Sequence, residues 1–195
     1  MLYFSELKGI SVTTTNKDFL GKLEDMIFNI ADSPQVTKLV VRSKDGVFTI
    51  AIENVKSLHN EIIVDSHNGV STLEENELYI GKNLLDKQII DLVGNKMVRV
   101  NDVVLLERSR PEGYSLFVTG VDIGILGIFR RINIEDLFQK ILSLLSIKIT
   151  SQFLSWADIQ PLELSDGEVK LKQSEAKLRK MRPEDLADYL ERTFS

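Results

Sequence analysis

The sequence predicts a mainly β fold: two small β-barrels, a helix inserted in the second, and a helical tail at the C-terminus. Three observations point to it. A 22-residue apolar pattern recurs 77 residues later without a gap, short β-branched runs alternate with turn signals, and helical periodicity is confined to two places.

The repeat sets Leu7–Phe28 above Leu84–Leu105. Leu7 falls on Leu84, Val12 on Ile89, Leu20 on Met97, Leu23 on Val100 and Asp25 on Asp102. Met26, Ile27 and Phe28 then fall on Val103, Val104 and Leu105. Each copy reads as a strand, a polar turn and a second strand opening after an Asp. A match of this length at fixed spacing signals duplication of one structural unit.

Later strands follow from local chemistry. Val36–Arg42 and Val47–Ile52 are β-branched runs joined by Ser43-Lys44-Asp45-Gly46, a hairpin signal. In the second copy, Val98–Glu107 and Tyr114–Asp122 flank a turn containing Arg110-Pro111-Glu112-Gly113. The copies also end alike. Asn54-Val55 and Leu58 precede Glu61–Val64, and Asp158-Ile159 and Leu162 precede Glu168–Leu171, now 104 residues apart. The second copy therefore carries 27 extra residues. The expected organisation is residues 1–76, residues 77–172 with an insertion around 123–150, and a tail over residues 173–195. Several short strands without a βαβ rhythm favour barrels over a parallel sheet.

The insertion holds the first helical pattern. Asn133 is an N-cap candidate with Asp136 three residues on. Ile134, Leu137, Phe138, Ile141, Leu142 and Leu145 then share one face of a helix. Six large apolar side chains left in water would forgo on the order of 10 kcal/mol, so this face is expected to meet the chain's own barrel, a second copy or another domain. The second pattern lies in the tail. Pro183 suits a first helical turn, Glu184 and Asp185 complement its positive end, and Leu186, Leu190 and Phe194 share a face. This second stripe is likewise an expected interaction surface.

Composition narrows the function classes. The chain has 195 residues, 43% hydrophobic and 27% charged, as ordinary globular proteins do. With no cysteine, disulfides and thiolate chemistry are excluded. The net charge of −5 is spread along the chain, against the concentrated positive charge of a nucleic-acid binder. The longest notable apolar stretch, Ile123–Phe129, is far short of the ~20 residues a spanning helix needs. The opening MLYFSELKG lacks the pattern of a signal peptide, so a cytoplasmic location is expected.

Two resemblances follow from these residues. The run LKGISVTTTNKDFLGKLEDMIFN, followed by KLVVRS and FTIAIENVKSL, resembles a PRC-barrel domain over about residues 3–70, with a more divergent copy at 78–171. That family implies a small β-barrel, named from the photosynthetic reaction-centre H subunit and found also in the ribosome-maturation factor RimM. LRKMRPEDLADYLERTF (Leu178–Phe194) is similar to the start of the MgtE N-terminal domain, the cytosolic, magnesium-responsive part of MgtE-type transporters. The resemblance implies a longer polypeptide, a cytosolic regulatory or scaffolding module working through protein contacts, and association with a membrane only through that longer protein or a partner. The alternative it leaves open is a RimM-like adaptor in ribosome maturation or RNA processing.

Chemical motifs are sparse, and no enzyme, catalytic residue or organic cofactor is expected. His59 and His67 are eight residues apart without helical metal-ligand spacing. No GxSxG elbow frames a serine. Gly120, Gly124 and Gly127 match no phosphate-binding pattern and read as packing or turn residues. Asp25 and Asp102 share a structural position and are expected to bond backbone amides at a strand start. Glu184, Asp185 and Asp188 are the candidate ligands for magnesium, which wants several oxygens; helix-start charge accounts for them equally well.

Overall fold

The computed structural model describes residues 1–65, 73–110, 113–124, 127, 152–160, 163–165 and 168–170. The expected inserted helix and the tail fall outside this set. The fold is mainly β and contains a sheet curled into a half-barrel. The chain divides into two units, Met1–Ile159 and Gln160–Ser195. In the second, β15 (Glu163–Ser165) and β16 (Glu168–Lys170) form an antiparallel hairpin.

In the first unit, the first copy begins with β1 (Leu2–Tyr3) and a one-turn helix α1 (Phe4–Leu7). It continues through β2 (Ser11–Thr14), β3 (Phe19–Asn29), β4 (Val36–Arg42), β5 (Val47–Ala51), β6 (Val55–Leu58) and β7 (Ile62–Val64). The second copy opens with β8 (Glu77–Tyr79) and α2 (Ile80–Asn83). Then come β9 (Gln88–Asp91), β10 (Lys96–Arg99), β11 (Asp102–Arg110), β12 (Gly113–Asp122), β13 (Phe153–Ser155) and β14 (Ile159–Gln160), whose first residue ends the unit. Three sheets result, ordered β5-β4-β3-β2-β7-β6 with β8 along the far end of β3, β1-β11-β12-β13, and β10-β9-β14.

Register establishes the duplication more sharply than apolar pattern does. Asp25 pairs with Val40 and Met26 with Leu39, and in the second copy Asp102 pairs with Asp122 and Val103 with Val121. One strand of the hairpin is displaced by 77 residues and its partner by 82. A β-bulge follows at the same place in each, between Ile27 and Phe28 and between Val104 and Leu105. Lys38↔Ala51 and Leu39↔Ile50 recur as Gly120↔Ser155 and Val121↔Leu154, where the outer strand is displaced by 104. The 27 extra residues are thus split: five lengthen the β11–β12 hairpin and 22 lie between β12 and β13. A bulge inserts an unpaired residue and bends its strand, so its recurrence marks one backbone geometry built twice.

One expected feature differs. Asp25 does not open a strand, because β3 runs through it with only a register shift between Leu23 and Asp25. In the second copy the strand does break, after Arg99. There the Asn101 side chain donates to the carbonyls of Ile123 and Gly124, at 2.9 and 3.1 Å, and its amide to the Asp122 carbonyl at 2.8 Å.

The opening arms of the two copies are exchanged. β1 pairs with β11 of the second copy (Leu2↔Leu105, Tyr3↔Val104), and β8 pairs with β3 of the first (Leu78↔Phe28, Tyr79↔Ile27). The arms themselves match at a spacing of 76, Leu2-Tyr3-Phe4 against Leu78-Tyr79-Ile80, so the two pairings are equivalent residue by residue. Phe4 and Ile80 are both fully buried. Gln35 forms an isolated bridge with Phe117, which is its own counterpart 82 residues on. A residue paired with its counterpart lies on a two-fold relation between the copies.

A single hydrophobic cluster joins the copies, with Phe4, Met26, Phe28 and Leu39 beside Leu105, Leu116, Val121 and Trp156. Trp156 meets Phe28 edge-on at 5.7 Å and donates its indole N–H to the Ala31 carbonyl at 3.2 Å. Such an arrangement satisfies both the apolar body and the polar handle of the indole.

Candidate functional site

Asp25 and Asp102 do bond backbone amides, and they also hold the exchanged arms. Asp102 is fully buried. Its Oδ1 accepts from the amides of Val103 and Ser5, at 2.8 and 3.2 Å, and its Oδ2 from the Ser5 hydroxyl at 2.6 Å. Asp25 accepts from the amides of Met26 at 2.8 Å, Gly81 at 2.7 Å and Lys82 at 3.2 Å. Ser5 and Gly81 are counterparts in the two arms. Each Asp therefore binds the first turn of the helix delivered by the other copy. Burial raises the Asp25 carboxyl above its ordinary value, while the Gly81, Met26 and Lys82 amides and the charge of Lys8 pull the other way. The arrangement positions backbone and carries no reactive pair.

The second arm is fastened a second time. Glu77, 3% exposed, takes the Lys38 ammonium at 2.6 Å, the Thr37 hydroxyl at 2.6 Å and the Glu74 amide at 2.9 Å. Burial alone would raise its pKa, but these donors and the Lys38 charge outweigh it and leave the group lowered.

The surface of the unit carries a different feature at the β9–β10 hairpin. Its register pairs Asp91 with Lys96 and Ile90 with Met97. Asp91 is buried, and its Oδ1 accepts from the amides of Val93 and Gly94 at 3.0 and 2.7 Å. Asn95 sits in the left-handed region at φ 46°, where a short amide side chain is tolerated. The turn so fixed leaves Leu92 45% exposed, Val93 77% and Met97 55%. Val98, pointing to the other face, packs against the core. The matching tip in the first copy is polar: Thr15 and Asn16 stand where the second copy has Leu92 and Val93. There the Thr14 hydroxyl, not a carboxylate, accepts the turn amides of Asn16 and Asp18.

His59 is exposed, and His67 lies outside the described residues. Among the described residues no three His, Asp or Glu side chains converge on a point that could hold a metal. Gly120 is a packing residue, since a Cβ there would collide with the Leu154 carbonyl and the Phe153 ring. The two interaction stripes (Ile134, Leu137, Phe138, Ile141, Leu142 and Leu145; Leu186, Leu190 and Phe194) lie outside the described residues, as do the magnesium candidates Glu184, Asp185 and Asp188. No helix among the described residues is long and apolar enough to cross a membrane. Compared with known proteins, the chain matches no protein-family model and no curated protein sequence.

Proposed function

We propose that this chain is a non-catalytic, cytosolic regulatory or scaffolding module of the PRC-barrel type, belonging to a magnesium-transport-related protein of the MgtE kind. The observation that carries the binding part is the β9–β10 hairpin. Large apolar side chains held out on a fixed turn are costly in water unless something covers them. The β unit beneath is a rigid support, with one core shared by two copies and arms fastened by buried carboxylates. The magnesium part rests on the sequence of residues 178–194, whose acidic trio Glu184, Asp185 and Asp188 would lose mutual repulsion on meeting a divalent cation.

Hydrogen exchange of the full chain, with and without magnesium chloride, tests the ion response. Slower exchange over residues 178–195 with magnesium, unmatched by sodium chloride of equal ionic strength, is the expected result. An identical pattern in both salts overturns the magnesium reading.

A further inference from the structure

Among the described residues β10 pairs only with β9, and no described strand covers its outer edge, which lies beside Met97 and the Leu92–Val93 tip. Short edges and lysines ordinarily discourage strand addition. Here they come with exposed apolar side chains that a merely protected edge would lack. Residues 86–99 carry Lys87, Lys96 and Arg99 against Asp86 and the buried Asp91, a net charge of +1, and Asp86 is bonded to Arg99 at 3.0 Å. This hairpin is thus positive on a chain of net charge −5. Pairing with β10 of a second copy is disfavoured by the same charges. Antiparallel, it sets Lys96 opposite Arg99, and parallel, like meets like.

We propose that the β10 edge receives an extended acidic–apolar segment of another protein as an added strand, its apolar side chains on Met97 and the tip and its carboxylates on the opposite face at Lys96. Backbone bonding would supply affinity and the alternating side chains specificity. The proposal rests on the binding-module reading, but it is read on residues 88–99 and the magnesium response on residues 178–195, so each can fail alone.

The test uses the full chain and two blocked peptides, one alternating glutamate and valine, the other lysine and valine. Hydrogen exchange of the amides of Lys96–Arg99 should slow about tenfold at roughly ten times the dissociation constant of the glutamate peptide. The lysine peptide should leave it unchanged. Lys96→Glu should reverse the preference, and Val93→Ser should weaken binding without altering exchange in the unbound chain. No protection of β10, or equal protection by both peptides, overturns the proposal. Protection by the glutamate peptide at some other strand also overturns it, while leaving the binding-module reading in place.

Discussion

Replacing Asp102 with alanine removes the acceptor that holds the N-terminal arm on the second copy. The Val103 amide, the Ser5 amide and the Ser5 hydroxyl are among the donors that lose it. Hydrogen bonds to a charged group contribute about 1.5–3 kcal/mol each and are not additive. With the site fully buried, the substitution should cost about 3–5 kcal/mol. Part of that is local, through Val103, so the single variant does not isolate the arm. The cycle Ser5→Ala, Asp102→Ala and both together does, because only the hydroxyl–carboxylate bond is common to the two single changes. Its coupling should be about 1.5–2 kcal/mol, between residues 97 positions apart. Urea unfolding followed by fluorescence of the single tryptophan, Trp156, supplies the free energies. A coupling below about 0.5 kcal/mol, the additivity expected of independent sites, would refute the exchanged-arm geometry.

Other substitutions test other joints of the fold. Gly120→Ala places a Cβ against the backbone carbonyl of Leu154, which cannot rotate away, and should cost about 2–4 kcal/mol in the same assay. Trp156→Phe loses the bond to Ala31 and part of the contact with Phe28, and should cost about 1–3 kcal/mol, measured by thermal unfolding in circular dichroism. Because the folded pKa of Glu77 lies below the ordinary glutamate value of 4.5, its contribution is present above that pH and lost as pH falls through the folded value. Glu77→Gln should therefore flatten the acid limb of a stability–pH curve below about 4.5. Asp25 acts in the opposite sense: its raised pKa favours the fold below the unfolded value, and that contribution is lost as pH rises through the folded one. Asp25→Asn should remove this loss, seen as a smaller fall in stability above pH 3.8.

Much of the repeat was legible because burial in a sheet leaves an apolar signature. Leu7 and Leu84, Leu23 and Val100, and Met26 and Val103 are all buried in both copies. The structural role of Asp25 and Asp102 was also legible, since a shared position in two copies implies a shared local task. The exchange was not. Leu2 would fit beside Phe28 or Leu105 equally well on apolar grounds, and the choice is made by tertiary pairing between distant residues. One signal was available, the Leu-Tyr pair at 2–3 and 78–79, but it stands at a spacing of 76 and falls out of a gapless comparison at 77. The hairpin surface was hidden by residue type. Met97 aligned with Leu20 as though both were interior, yet it is more than half exposed. An apolar letter records the capacity to be buried, and the neighbouring strands decide whether it is.

The exchanged arms also set an order of events during synthesis. Leu2, Phe4 and Leu7 leave the ribosome before the second copy, but Leu2 pairs with Leu105 and Ser5 with Asp102. At roughly 5–20 residues per second, that partner surface arrives on the order of 5–20 s later. Until then the nascent first copy carries an undocked apolar arm and an unfilled edge along β3, which awaits β8. Closure of the first copy is thus coupled to translation of the second, and a chain stalled before Glu77 would expose adhesive strand and arm together. Slowing the ribosome within residues 30–100 should lower the yield of folded protein more than slowing it after Asp122.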